Sequence, residues 1–146
     1  MSEISEEDRE RIRRECIELI TKLVHYSDHL RAVESSELFA ADGTWVRGGK
    51  PFTGREAIVK SFNGPATEYL RHFVTTPLIE VDDESHARGV SYYLLFRHDP
   101  GTDEPKLPMP LGAPFSMGEW HDRFVKTDQG WRFAHREVRR LFQAPT

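Results

Sequence analysis

A change of hydrophobic period part-way along the chain narrows the fold most. Ile12, Cys16, Ile17, Leu19, Ile20, Leu23 and Val24 recur at helical spacing, whereas from residue 70 onward Val, Tyr, Phe, Trp and Thr gather in extended runs bounded by turn residues. A stripe that repeats every ~3.6 residues buries one side of a helix, and β-branched and aromatic runs suit a pleated sheet. Helices first and strands after them specify an α+β chain rather than alternating βαβ units.

Ser5 followed by Glu6, Glu7 and Asp8 starts the first helix, because the hydroxyl caps free amides and the acids complement the helix dipole. This helix ends at Asp28. A second is predicted from about Leu30 to Ala40, stopped by Ala41-Asp42-Gly43, with a short strand at Thr44-Trp45-Val46. Thr53-Gly54-Arg55-Glu56 reads as a capping box that opens a third helix, closed by Asn63-Gly64-Pro65. Four strands follow, over residues 70–82, 86–98, 115–127 and 130–142. The turns at 82–85 and 128–130 are short enough for hairpins, so the sheet is expected to be antiparallel. Residues 99–114 hold five of the nine prolines and predict a lid or a dimer-contacting loop. Nothing repeats internally, and residues 1–146 are expected to form one domain.

Composition removes several classes of function. Twenty basic and 24 acidic residues leave a net charge of −4 without a basic face, so no nucleic-acid partner is expected. No leader pattern and no apolar run of about 18 residues is seen, so neither export nor a membrane span is expected. Cys16 has no partner for an internal disulfide and sits on the apolar helix stripe, which suits a core thiol in a reducing cytoplasm.

The chemistry centres on Arg71-His72-Phe73-Val74-Thr75-Thr76, which sets one imidazole in an apolar β-branched run. Asp28, 44 positions earlier, ends the first helix near apolar surface. An imidazole with pKa near ~6.5 both accepts and donates a proton at neutral pH, and a carboxylate on its far nitrogen fixes the tautomer and raises basicity. His72 and Asp28 are therefore a candidate acid/base pair. His25 and His29 flank Asp28 at i and i+4 but lack a metalloprotease glutamate, and no metal is expected there. Gly48-Gly49-Lys50 is a turn rather than a phosphate loop, and Asp122 with Arg136 predicts a cross-strand ion pair. Arg139 and Arg140 read as a solvated strand end.

Further segments complete a pattern: Tyr26-Ser27-Asp28 with Leu38-Phe39-Ala40-Ala41-Asp42-Gly43-Thr44-Trp45, Thr53-Gly54-Arg55-Glu56-Ala57-Ile58, Ala87-Arg88-Gly89-Val90-Ser91-Tyr92-Tyr93, Gly118-Glu119-Trp120-His121-Asp122 and Gly130-Trp131-Arg132-Phe133. In this order, over residues 8–142, the chain resembles a SnoaL-like protein of the nuclear transport factor 2-like superfamily. The resemblance implies a cone-shaped α+β fold, in which a curved antiparallel sheet packs on three N-terminal helices around a central hydrophobic pocket, often in a homodimer. It implies a branch similar to scytalone dehydratase and hexachlorocyclohexane dehydrochlorinase, with His72 as base, Asp28 orienting it and no cofactor. Where the dehydratase has a second histidine, this chain has Ser91.

The expected activity is a lyase or isomerase of dehydratase or elimination type, acting on a small apolar cyclic compound. Tyr26, Ser91 and Tyr93 are candidate hydrogen-bonding groups for the ligand, and Trp45, Phe73, Met117 and Trp120 candidate walls. Strand alternation puts Ser91 and Tyr93 on one face and Tyr92 on the other. The alternative is a non-catalytic ligand-binding protein or a small assembly subunit of the ring-hydroxylating dioxygenase type.

Overall fold

The computed structural model describes residues 3–145; Met1 and Ser2, part of the segment in which no leader is expected, lie outside the described residues. Helix α1 (Glu6–Asp28) begins as its first turn dictates, with Ser5 Oγ accepting the Asp8 N–H at 3.0 Å. Its stripe of Ile12, Cys16, Leu19, Ile20 and Leu23 is buried against the sheet. Burial also pushes the Cys16 thiol up to about 12, so it stays an inert core group. No helix among the described residues is long and apolar enough to cross a membrane.

Helix α2 (Ala32–Glu37) is shorter than predicted, because Phe39 and Ala40 already belong to strand β1 (Phe39–Arg47). Phe39 is fully buried, with its ring 5.1 Å from that of Phe133, and this aromatic contact outweighs the local helical spacing. Gly43 does not stop a helix but serves a bulge inside β1. A Cβ there would meet the Ala40 and Phe133 carbonyls at 3.0 Å, where the register shifts between Phe39 and Thr44.

The predicted capping box at Thr53 does not form. Thr53 ends strand β2 (Lys50–Thr53), where its hydroxyl meets that of Thr44 across the hairpin at 2.9 Å. Gly54, at φ 88°, is the cap of helix α3 (Arg55–Lys60), which has no side-chain cap. Only the glycine backbone turns from strand into helix that way at low cost.

The remaining strands are β3 (Tyr69–Val74), β4 (Leu78–Asp83), β5 (His86–His98), β6 (Ser116–Thr127) and β7 (Gly130–Gln143). The single run expected over 70–82 is thus two strands, both antiparallel to β5, separated by Thr75-Thr76-Pro77. Proline offers no N–H to the ladder, so the pairing breaks where it sits. The sheet order is β2-β1-β7-β6-β5-β3 with β4 also on β5, a curved and unclosed sheet against which the three helices pack. One pairing departs from the antiparallel expectation: β1 runs parallel to β7, with Trp45 beside Arg136. Parallel neighbours need a long connection, which the intervening helices and strands supply.

Candidate active site

Alternation along the strands decides which side chains face the hollow between sheet and helices. On β5 the inward set includes Tyr93 and Leu95, on β6 Ser116 and Trp120, on β7 Arg136 and Val138, and on β1 Trp45 and Arg47. Together with Leu70 and His72 of β3 and the segment after α3, they line a cavity of about 620 Å³. That is the size of an ordinary small-molecule site.

His72 and Asp28 meet at its wall. Asp28 Oδ1 lies 2.5 Å from His72 Nδ1, and Oδ2 accepts the backbone N–H of His72 at 3.0 Å. One carboxylate therefore grips both the ring and the strand that carries it. Its side chain is 5% exposed and that of His72 is 17% exposed, the latter opening into the cavity. An ionised carboxylate only accepts, so Nδ1 carries a proton, and in the neutral imidazole Nε2 keeps its lone pair. The ring is packed 5.4 Å from Trp120 and 5.9 Å from Tyr93, and those two stack at 5.1 Å. Such packing holds an imidazole in one orientation, which proton transfer requires.

Of the other expected ligand-facing residues, Trp45, Tyr93 and Trp120 line the cavity. Four do not. Phe73 and Met117 alternate with inward His72 and Trp120 and so point to the other side of the sheet, Phe73 being 62% exposed. Tyr26 is two residues, or roughly 200°, around α1 from Asp28; it packs on the core edge beneath the Arg31 guanidinium. Ser91 faces inward but is buried opposite Trp120, without a hydrogen-bond partner for its hydroxyl and outside the cavity wall. None of residues 99–114, expected as a lid or a dimer-contacting loop, lines the cavity. His29 is exposed and its Nδ1 is engaged by the His25 carbonyl at 2.7 Å.

The hollow is also less greasy than expected. Arg136, the predicted partner of Asp122, pairs with it through both Nε and Nη2, at 2.7 and 2.9 Å, fully buried. Arg136 stacks on Trp120 at 4.1 Å and contributes to the cavity wall. Arg97 pairs with the buried Glu68 at 2.9 Å. Arg140, expected as a solvated strand end, is exposed but lines the cavity, as does half-buried Arg47. None of Arg47, Glu68, Arg97 or Arg140 was an expected ligand-facing residue. The two-residue step from Trp45 to Arg47 on one strand was the available signal.

The family match now has a structural setting. A SnoaL-like domain model matches residues 8–137. The chain belongs to the SnoaL-like family. No curated protein matches it by sequence, but its fold recurs widely among solved structures. A protein of Novosphingobium aromaticivorans DSM 12444, provisionally described as a scytalone dehydratase, superposes with a TM-score of 0.80 at 21% identity, over 96% of this chain and 91% of that one. A nuclear transport factor 2-like protein of the same organism is 27% identical, with a TM-score of 0.73, over 94% and 84% of the two chains. The hexachlorocyclohexane dehydrochlorinase of Novosphingobium barchaimii LL02 gives 0.78 at 16% identity, over 97% and 94%. This SnoaL-like chain therefore shares a nuclear transport factor 2-like fold with these three proteins.

Proposed function

We propose that this SnoaL-like protein is a cofactor-independent lyase or isomerase that removes a proton from a small cyclic compound, with His72 as general base and Asp28 orienting it. The observation that carries the proposal is the double grip of Asp28 on His72, at 2.5 Å to the ring and 3.0 Å to the backbone, which in the neutral imidazole makes Nε2 the free acceptor of a ring that lines the cavity. Dehydration, dehydrohalogenation and isomerisation beside a carbonyl all begin or end with a transfer that one positioned base performs. Two of the similar structures carry dehydratase and dehydrochlorinase descriptions, which supports that reaction class.

The test is a panel of cyclic ketones, β-hydroxy ketones and halocycloalkanes, each with and without a ring carboxylate, incubated in D₂O and followed by NMR for elimination or carbon-bound deuterium. At least one compound should react, and His72→Ala should slow it by about 10²- to 10⁴-fold. Turnover unchanged in His72→Ala would end the proposal. Saturable ligand binding with no reaction across the panel would favour a binding protein instead.

The reading extends to a homodimer packed through the outer sheet face, where Phe73, Leu78 and Tyr92 are exposed, and to a cytoplasmic setting for the buried Cys16. A monomer in sedimentation velocity would remove the first; an exported native protein, the second.

A further inference from the structure

The cavity's guanidiniums are not equivalent. Arg97 and Arg136 are each neutralised by a buried carboxylate, Glu68 and Asp122. Among the described residues no carboxylate lies within 4.0 Å of the guanidinium of Arg140, which is exposed and bonds Gln143, or of that of Arg47, whose one side-chain hydrogen bond runs from Nη1 to Ser61 Oγ at 3.0 Å. That hydroxyl spends its own proton on the Ile58 carbonyl at 2.6 Å, so it offers Arg47 a neutral lone pair and nothing more.

The fork is nevertheless held in place. Its carbon lies 4.4 Å from the Trp45 ring and 4.9 Å from that of Phe62, so two aromatic groups steady it. The residue is half-buried in the wall of the cavity. Burial lowers its pKa to about 10 against the opposing charge of Glu68, which still leaves it cationic at neutral pH. A guanidinium has five N–H donors in a geometry that matches a carboxylate, and one that is partly desolvated with no carboxylate paired to it gains most from an anionic ligand.

We propose that Arg47 is a specificity-determining residue that binds a carboxylate on the ligand, so that the site takes ring compounds bearing an acid group rather than neutral rings. This rests on reading the cavity as the ligand site and names its substrate class; it does not depend on His72 performing the chemistry. Trp45 and Phe62 supply flat surface beside the guanidinium for the ring itself.

The probes are benzoate, cyclohexanecarboxylate and 2-naphthoate, each against its primary amide, titrated by calorimetry and tryptophan fluorescence in the millimolar range and below. At least one acid should bind about tenfold or more tightly than its amide, the scale of a charge-assisted hydrogen-bonded pair. Arg47→Gln should erase that preference, Arg47→Lys should keep part of it, and His72→Gln should keep it. In the wild type the preferred acid should also shift the guanidinium resonances of Arg47 in ¹⁵N NMR, a readout that needs no variant to fold. Equal binding of acids and amides, no saturable binding of any acid, unmoved Arg47 resonances, or a preference that survives Arg47→Gln would each overturn it. Loss of the preference in His72→Gln would move the anion site to the imidazole and overturn it too. Failure of deuterium exchange with the acid preference intact would sink the catalytic reading alone.

Discussion

Asp28 has two jobs that one substitution separates from its size. In Asp28→Asn the amide keeps one acceptor oxygen, so either the His72 backbone N–H or the ring Nδ1–H loses its partner. If the amide N–H₂ faces the ring, the imidazole turns to the other tautomer and Nε2 becomes a donor, useless as a base. The variant is expected to lose activity much as His72→Ala does, and in addition to lose about 1–3 kcal/mol of stability for a buried polar group left unpaired. Urea unfolding beside the deuterium-exchange assay checks both, and unchanged stability would show that the backbone latch contributes nothing. His72 and Asp28 were legible as single residues because an imidazole in an apolar run and an acid at a helix end are both unusual. Arg47 was not, since one arginine near a Gly-Gly turn looks like any solvated residue until Ser61 and Phe62 are brought beside it.

Elements explain what single residues do not. Strand β6 carries Gly118 at an inward position, where a Cβ would lie 2.1 Å from the Arg139 carbonyl oxygen of β7, beside a register shift between Met117 and Gly118. The two backbones approach there as no other residue allows. Gly118→Ala should therefore cost about 1–3 kcal/mol, the range for an overpacked site, read as a lower denaturant midpoint. A midpoint equal to wild type would mean that the bulge relaxes freely. Most strand positions were foreseeable from alternation, and β5, β6 and β7 lie close to the expected spans. Alternation also places Phe73 and Met117 outside the cavity, and a period-two reading anchored on His72 and Trp120 would have removed them. The break at Pro77 and the bulge at Gly43 were written in the chain but outweighed by the apolar runs around them.

At the scale of the whole molecule, the sheet has an inner face that holds the cavity and an outer face that carries half-buried His135. Burial first, and then the Arg123 charge, holds His135 below its ordinary 6.5 against the opposing pull of Glu137 and Asp122. The folded state therefore binds fewer protons at this site than the unfolded chain. The associated stability is fully present above pH 6.5 and is lost as pH falls below it toward the folded value. His135→Gln should flatten that part of the acid limb, measured as urea midpoints across a pH series. An unaltered slope would show that other groups carry it.

What the chain determined on its own is what neighbours along the backbone settle: helical stripes in the first part, pleated alternation in the second, hairpin turns between, and an imidazole lodged among apolar residues. The tertiary structure alone decided the parallel pairing of β1 with β7, the 2.5 Å meeting of residues 44 positions apart, and which guanidiniums of the cavity found a carboxylate. Periodicity reports which side of an element turns away from water. Which elements those sides meet, and in what register, depends on long-range packing that no local window contains.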